Sequence, residues 1–146
     1  MSLLLTNSLY QQIEAEGVRA FPNECCCVMI GRDEQTPAGP RRIVERLQPL
    51  TNSFESEEQY HRFRLDPKEY IEVEKAAGAE GKLVLGFYHS HPDHPARPSE
   101  YDRQHAWPFY SYVIVSIMQR TPAAMTSWLL DEATEQFTEE KIERAG

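Results

Sequence analysis

The run Lys82–Tyr88, "KLVLGFY", is continuously apolar after its first residue and then breaks abruptly into "HSHPDHPARPSEYD". An apolar run of that length reads as a buried strand, and a buried strand needs packing layers on its faces. Two more runs of the same kind flank it along the chain: "CCCVMIG", closed by Gly31, and "SYVIVSI" from Ser111. Helical patterns lie between them. Thr6 and Asn7 are capping residues ahead of Leu9, Ile13 and Val18, which recur near a 3.6-residue spacing and stop before Phe21-Pro22. "DPKEYIEVEKAAGAEG" opens with Asp66 as N-cap and Pro67 at the first helical position, and closes at glycine. "SEYDRQHA" reads as a short helix ending at Trp107-Pro108. Strands interleaved with helices place the chain in the α/β or α+β class, with a mixed sheet flanked by helices.

The remaining segments fit that plan. "DEQTPAGP" reads as turn chemistry, and "RRIVERLQPL" as a strand with Ile43, Glu45 and Leu47 on one face and Val44 and Arg46 on the other. "TNSFESEEQ" reads as a polar loop, "YHRFRL" as a short strand and "AMTSWLLDE" as another. A chain of 146 residues is expected to form one domain, residues 1–146, large enough to bury a core without staples. Its 15 Lys plus Arg against 23 Asp plus Glu give a net charge of -8, which argues against a nucleic-acid partner. The N-terminus has no basic region or cleavage signature, and no segment has the apolar length of a membrane span. Its three cysteines, Cys25, Cys26 and Cys27, are odd in number and contiguous. A secreted disulfide framework would be even and dispersed, so a cytoplasmic protein with reduced thiols is expected. On a strand, Cys25 and Cys27 share one face and Cys26 takes the other, as small core hydrophobes.

The polar string carries the chemistry. Side chains two apart on a strand share a face, so His89 and His91 present both imidazoles together while Ser90 points away. Ser99 and Asp102 are three apart, which puts hydroxyl and carboxylate on one side of a new helical turn. If that turn folds back over the histidines, Asp102 completes a set of two imidazoles and a carboxylate with a fourth position for water. That is the pattern of a catalytic zinc site, not of a closed structural one. A blander alternative stands beside it: Ser99 as N-cap with an acid three residues on imitates a capping box, and "PDHPARP" is a proline-stiffened turn. His61, His94 and His105 read as solvated or locally bonded.

Taken whole, His89-Ser90-His91, seven residues, Ser99, two residues and Asp102 resemble the signature of the JAMM (MPN+) metalloprotease family. "FPNECCCVMIG" resembles the upstream segment in which family members carry a glutamate, and Glu24 stands at that position. The resemblance extends from the first helix through "SYVIVSI". Two departures are visible. Members similar to bacterial sulfur-carrier peptidases usually read Glu-x-Cys-Gly, and Cys27 stands at the glycine. The 44 residues after Asp102 leave little room for the insertions by which deubiquitinating members grip a ubiquitin pair.

The resemblance implies a JAMM/MPN (cytidine deaminase-like) architecture with a curved mixed sheet. It implies one Zn2+ per chain held by His89, His91 and Asp102, Glu24 as general base for the attacking water, and Ser99 as donor to the oxyanion. The implied reaction is hydrolysis of an amide after the Gly-Gly tail of a ubiquitin-like or sulfur-carrier protein, the minimal bacterial members resembling CysO-cysteine peptidases. A tail of glycines suits a narrow groove and pairs readily along a sheet. Two alternatives differ in class: a zinc hydrolase acting on a small-molecule amide or a base, and a non-catalytic scaffold of the same fold. The His-x-Glu and Pro-Cys-x-x-Cys pattern of zinc deaminases is missing, and a scaffold would lack stoichiometric zinc.

Overall fold

The structure is a computed structural model and describes residues 1–50 and 67–146. The expected loop "TNSFESEEQ", the strand "YHRFRL" with His61, and the Asp66 cap lie outside the described residues. Among the described residues seven strands make up one sheet: β1 Ser2–Thr6, β2 Cys26–Thr36, β3 Gly39–Pro49, β4 Leu83–Pro92, β5 Ser111–Met118, β6 Thr121–Leu130 and β7 Phe137–Ala145. Three helices accompany it among the described residues: α1 Asn7–Ala20, α2 Pro67–Ala79 and α3 Glu100–His105. The sheet is mixed, as the interleaved pattern implies. Its order, β1-β3-β2-β4-β5-β6-β7, closes into a barrel where β7 pairs β1 in parallel. The expected curvature therefore runs to completion, and closure removes the exposed edges of an open sheet.

The two core clusters follow from strand alternation. Cys27 and Met29 of β2 join Leu3, Leu5, Val44, Leu85, Tyr88, Val113, Val115 and Ile117 in one buried cluster, against Leu9 and Ile13 of α1. Thr6 starts α1 as expected, its hydroxyl accepting from Leu9 N–H at 3.1 Å. Val28 and Ile30 face the other way and pack with Phe87 beneath Val73 and Ala77 of α2. Phe87 and Tyr88 thus point to opposite faces, which fixes the faces of the residues after them: His89 and His91 share the side of Phe87, and Ser90 the side of Tyr88.

Two expectations need correction. β2 continues to Thr36, so only Pro37 and Ala38 turn the chain. Asp33 and Glu34 look like turn residues, yet they are held in the ladder by cross-strand ion pairs, Glu34 to Arg41 at 2.7 Å and Asp33 to Arg42 at 3.7 Å. In β3 the simple alternation fails. Ile30 pairs Arg46 and Gly31 pairs Val44, so Glu45 is an extra residue in a bulge. The bulge turns both Val44 and Leu47 toward the first cluster. Gly31 sits at this irregularity, where a Cβ would lie 1.9 Å from the Ile43 carbonyl oxygen.

Candidate metal centre

The end of β4 is where the chemistry gathers. β4 runs antiparallel to β2, with Cys26 opposite His89, and parallel to β5, with Ile114 beside His89 and Ser116 beside His91. Both histidines are buried, at 1% and 8% exposure. Ser90 points away from them, as the alternation requires. It fastens the start of β2: Cys25 N–H donates to Ser90 Oγ at 2.9 Å, and Ser90 N–H donates to the Cys25 carbonyl at 3.2 Å. That bracket holds Glu24, the residue before Cys25, near both histidines. The Glu24 carboxylate is 6% exposed and brings an oxygen within 4.8 Å of an imidazole nitrogen of both His89 and His91.

Asp102 arrives from α3. Ser99 is the N-cap, its Oγ accepting from Asp102 N–H at 3.1 Å while Asp102 Oδ2 accepts from Ser99 N–H at 2.8 Å. The capping box weighed against a metal site in the sequence is present, and the same carboxylate also faces the histidines. Capping and convergence are one feature, because the reciprocal bonds fix the Asp102 side chain. His89 Nε2 lies 3.3 Å from Asp102 Oδ1, His91 Nε2 lies 3.2 Å from Asp102 Oδ2, and the two Nε2 atoms are 3.1 Å apart.

This cluster has one notable electrostatic property. His91 Nδ1 lies 3.0 Å from the Pro95 carbonyl oxygen, which can only accept, so Nδ1 carries the hydrogen. In a neutral His91 ring, Nε2 is then a lone pair aimed at a carboxylate and another imidazole nitrogen. Positive charge, whether a proton or a metal ion, relieves this crowding of electron pairs. Burial would raise the Asp102 carboxyl, but the charge and hydrogen bond of His89, with the bonds from His91 and Ser99 N–H, hold it well below the usual carboxylate range. For His91, burial pulls the ring's pKa down and is outweighed by the bond to Asp102 and its charge, so the net direction is up.

The donor set fits a zinc ion. A tetrahedral centre with bonds of about 2.0–2.1 Å places its donors about 3.3 Å apart; the two Nε2 atoms are 3.1 Å apart, and each faces a different Asp102 oxygen, His89 at 3.3 Å and His91 at 3.2 Å. Two imidazoles and the Asp102 carboxylate leave a fourth position free, and Glu24, with a carboxylate oxygen within 4.8 Å of both imidazoles, stands close enough to share the site.

The other expected residues fall into place. His94 is exposed, and His105, also exposed, has its Nδ1 2.8 Å from the Tyr101 carbonyl oxygen. Tyr101 stacks on His105 with ring centroids 4.1 Å apart, and Arg103 pairs with Glu100. Cys25 and Cys27 lie with the first core cluster, while Cys26 shares the face of His89 and its Sγ approaches the Leu50 carbonyl at 3.9 Å. Burial pushes the Cys25 thiol up to about 11 and Cys27 to about 12, and Cys26 higher still. Buried protonated thiols pack as small hydrophobes, the expected core role. Sequence reasoning did not single out Ser116 and Thr126, which bond the loop after His91 through hydroxyls at 2.6 and 2.7 Å. Their only signal is a shared sheet face with the histidines.

Several known proteins are similar to this chain over most of its length. The family of prokaryotic homologs of the JAB domain matches residues 6–131. The chain is 35% identical over 115 residues to a desampylase of Haloferax volcanii, covering 78% of this chain and 76% of that one. It is 34% identical over 115 residues to the CysO-cysteine peptidase of Mycobacterium tuberculosis, covering 78% and 73%. The solution structure of a protein from Desulfitobacterium hafniense is similar with a TM-score of 0.79 at 34% identity, covering 99% of this chain and 92% of that one. Among the described residues no helix is long and apolar enough to cross a membrane.

Proposed function

The chain belongs to the family of prokaryotic JAB-domain homologs, and from that premise we propose that it is a zinc-dependent metallopeptidase. Its substrate in this reading is an amide that follows the C-terminal Gly-Gly tail of a ubiquitin-like or sulfur-carrier protein. A hydrolase is what the named relatives indicate. The observation that carries the zinc reading is the convergence of His89 Nε2 and His91 Nε2, 3.1 Å apart, on the two oxygens of the Asp102 carboxylate at 3.3 and 3.2 Å, with Glu24 beside them.

His89, His91 and Asp102 hold the ion. When bound, zinc supplies Lewis acidity and brings the pKa of its water to about 7. Glu24 takes the proton of the attacking water and later delivers it to the leaving amine, a role that needs proximity and burial. Ser99 Oγ spends its lone pair on Asp102 N–H, which leaves its hydroxyl proton for the oxyanion of the tetrahedral intermediate. The Ser90–Cys25 bracket fixes Glu24 against β4, so the base cannot drift while the carbonyl is attacked. Pro95 and the capping box fix the ring and the carboxylate in the same way.

Of the two substrate types, the sulfur carrier bearing a C-terminal cysteine is preferred, by likeness to the CysO-cysteine peptidase. Mass spectrometry tests it: a Gly-Gly carrier extended by one cysteine, incubated with the zinc-loaded protein, loses the mass of that cysteine residue. Glu24→Gln keeps its metal and leaves the carrier intact. A carrier unchanged by wild type, with a Gly-Gly isopeptide conjugate cleaved beside it, moves the substrate to protein conjugates. Neither cleaved by a metal-loaded chain overturns the reading.

A further inference from the structure

His91 is oriented by a carbonyl that is itself suspended. Pro95 O accepts from His91 Nδ1–H at 3.0 Å and from Arg97 N–H at 2.8 Å. It lies in the segment from Asp93 to Ser99, which has no strand or helix of its own except its junctions with β4 and α3. A free loop could not hold an oxygen to hydrogen-bond precision. Here the carbonyls on either side of Pro95 are both tied to the sheet. His94 O accepts from Ser116 Oγ at 2.6 Å, and Ala96 O accepts from Thr126 Oγ1 at 2.7 Å. Asp93 anchors the loop's start, its N–H donating to Ile117 O at 2.7 Å and its Oδ1 accepting from Gln119 N–H at 2.7 Å.

The sheet register makes this suspension stiff. Ser116 lies directly beside His91 on β5, and Thr126 lies beyond Ile114 from His89 on β6, all on one face. Ser116 is 1% exposed, so its hydroxyl has few competitors. Thr126 Oγ1 is in turn fixed as an acceptor from Trp128 Nε1–H at 2.8 Å, which commits its own hydrogen to Ala96. The result is a directed chain, Trp128 N–H to Thr126 O–H to the Ala96 carbonyl, whose bonds polarise one another. One peptide away, the Pro95 carbonyl sets the Nδ1–H tautomer and turns Nε2 toward His89 and Asp102.

We propose that Thr126, locked by Trp128, and Ser116 are positioning residues for the metal centre, clamping the carbonyls on both sides of Pro95 so that His91 is held as an Nδ1–H tautomer with Nε2 toward the ion. The proposal rests on the reading that His89, His91 and Asp102 take a metal. Neither hydroxyl touches the ion or the substrate. They act through the loop, and loss of such outer support typically weakens metal binding 10–100-fold.

The test is zinc affinity by chelator competition in Thr126→Val, Thr126→Ser, Ser116→Ala and Trp128→Phe, with thermal midpoints of the chelator-treated proteins alongside. Thr126→Val keeps the shape and removes the hydroxyl; it is expected to bind zinc 10–100-fold more weakly, and Thr126→Ser to recover most of the loss. Ser116→Ala gives an independent reading from a different strand should Thr126→Val fold poorly. Nitrogen-15 spectra of the His91 ring supply a second readout: one Nδ1–H tautomer in wild type and Thr126→Ser, and a tautomer mixture in Thr126→Val. Zinc affinity within twofold of wild type in both hydroxyl-deleting variants, or an unchanged tautomer, overturns the proposal. Wild type that takes up no zinc overturns the metal reading instead, and the tautomer comparison in chelator-treated protein, made at a pH where the His91 ring is neutral, still decides whether the loop orients His91.

Discussion

Replacing Gly86 by alanine probes the strand pair on which the centre depends. An alanine Cβ at this position would lie 1.9 Å from the Ser111 carbonyl oxygen and 2.7 Å from both Ser111 C and Ser111 N. Those are backbone atoms, so no side chain can rotate away. An ordinary contact needs about 3.5 Å, so β4 and β5 must part by roughly 1.5 Å beside the Gly86–Ser111 pair. A parting of that size takes the nearest ladder bonds from about 2.9 Å to beyond 4 Å. Two buried backbone bonds lost at about 1–3 kcal/mol each, with the cavity they open, give a cost of about 3–5 kcal/mol. For a chain of this length that lowers the thermal midpoint by about 10 °C. His89, three residues along β4, loses its place with the strand, so zinc affinity falls too. Differential scanning calorimetry and denaturant titration measure the cost. Gly78→Ala is the control: it is exposed near the end of α2 with nothing within 4 Å of a new Cβ, and should gain about 0.5 kcal/mol. A Gly86→Ala protein within 1 kcal/mol of wild type would refute the reasoning.

Other outcomes follow from the same geometry. Ser99→Ala removes the N-cap of α3 and should lower hydrolysis about a hundredfold, with helix and zinc affinity also weakened, whereas Ser99→Thr retains the cap; equal rates in the two variants would remove Ser99 from the reaction. The thiols of Cys25 and Cys27, raised to about 11 and about 12, should resist a thiol reagent at neutral pH until the chain is unfolded. Because these folded-state values exceed the unfolded ones, the cysteine contribution to stability is intact below about pH 8.5 and is lost as pH rises toward 11–12. A urea midpoint independent of pH between 8 and 10.5 would contradict it. In the two-residue β5–β6 turn, Gln119 and Arg120 hold φ of 49 and 66, the pair of left-handed positions that Asn-Gly suits best. Gln119→Asn should therefore stabilise the protein by about 0.5 kcal/mol, and a measured loss would count against the turn assignment.

Much of the site was legible because its parts obey local rules. Strand alternation put His89 and His91 together and Ser90 opposite, and the Ser99-to-Asp102 step gave the capping box that aims the carboxylate. Glu24 came only from family resemblance, since nothing local says that it will sit near both histidines. The elements missed were those whose reasons are non-local. β1, "SLLLT", is five residues long and is a strand because β3 and β7 flank it in parallel, burying Leu3 and Leu5 completely. β7, "FTEEKIERA", hides its alternation behind charge, because the side chain buried at its centre is Glu140, which accepts from Ser127 Oγ at 2.7 Å. Barrel closure joins residues at opposite ends of the chain, a pairing with no signature in a short window. The Glu45 bulge and the Ser116 and Thr126 anchors were likewise invisible, being set by register between strands.

Zinc content per chain after reconstitution, in wild type, His89→Ala and Asp102→Asn, tests the central claim most directly. The account predicts about one zinc in wild type, a loss in both variants, and full occupancy in Glu24→Gln with hydrolysis abolished. Wild type without zinc, or variants that bind it as wild type does, would contradict the triad as a metal centre.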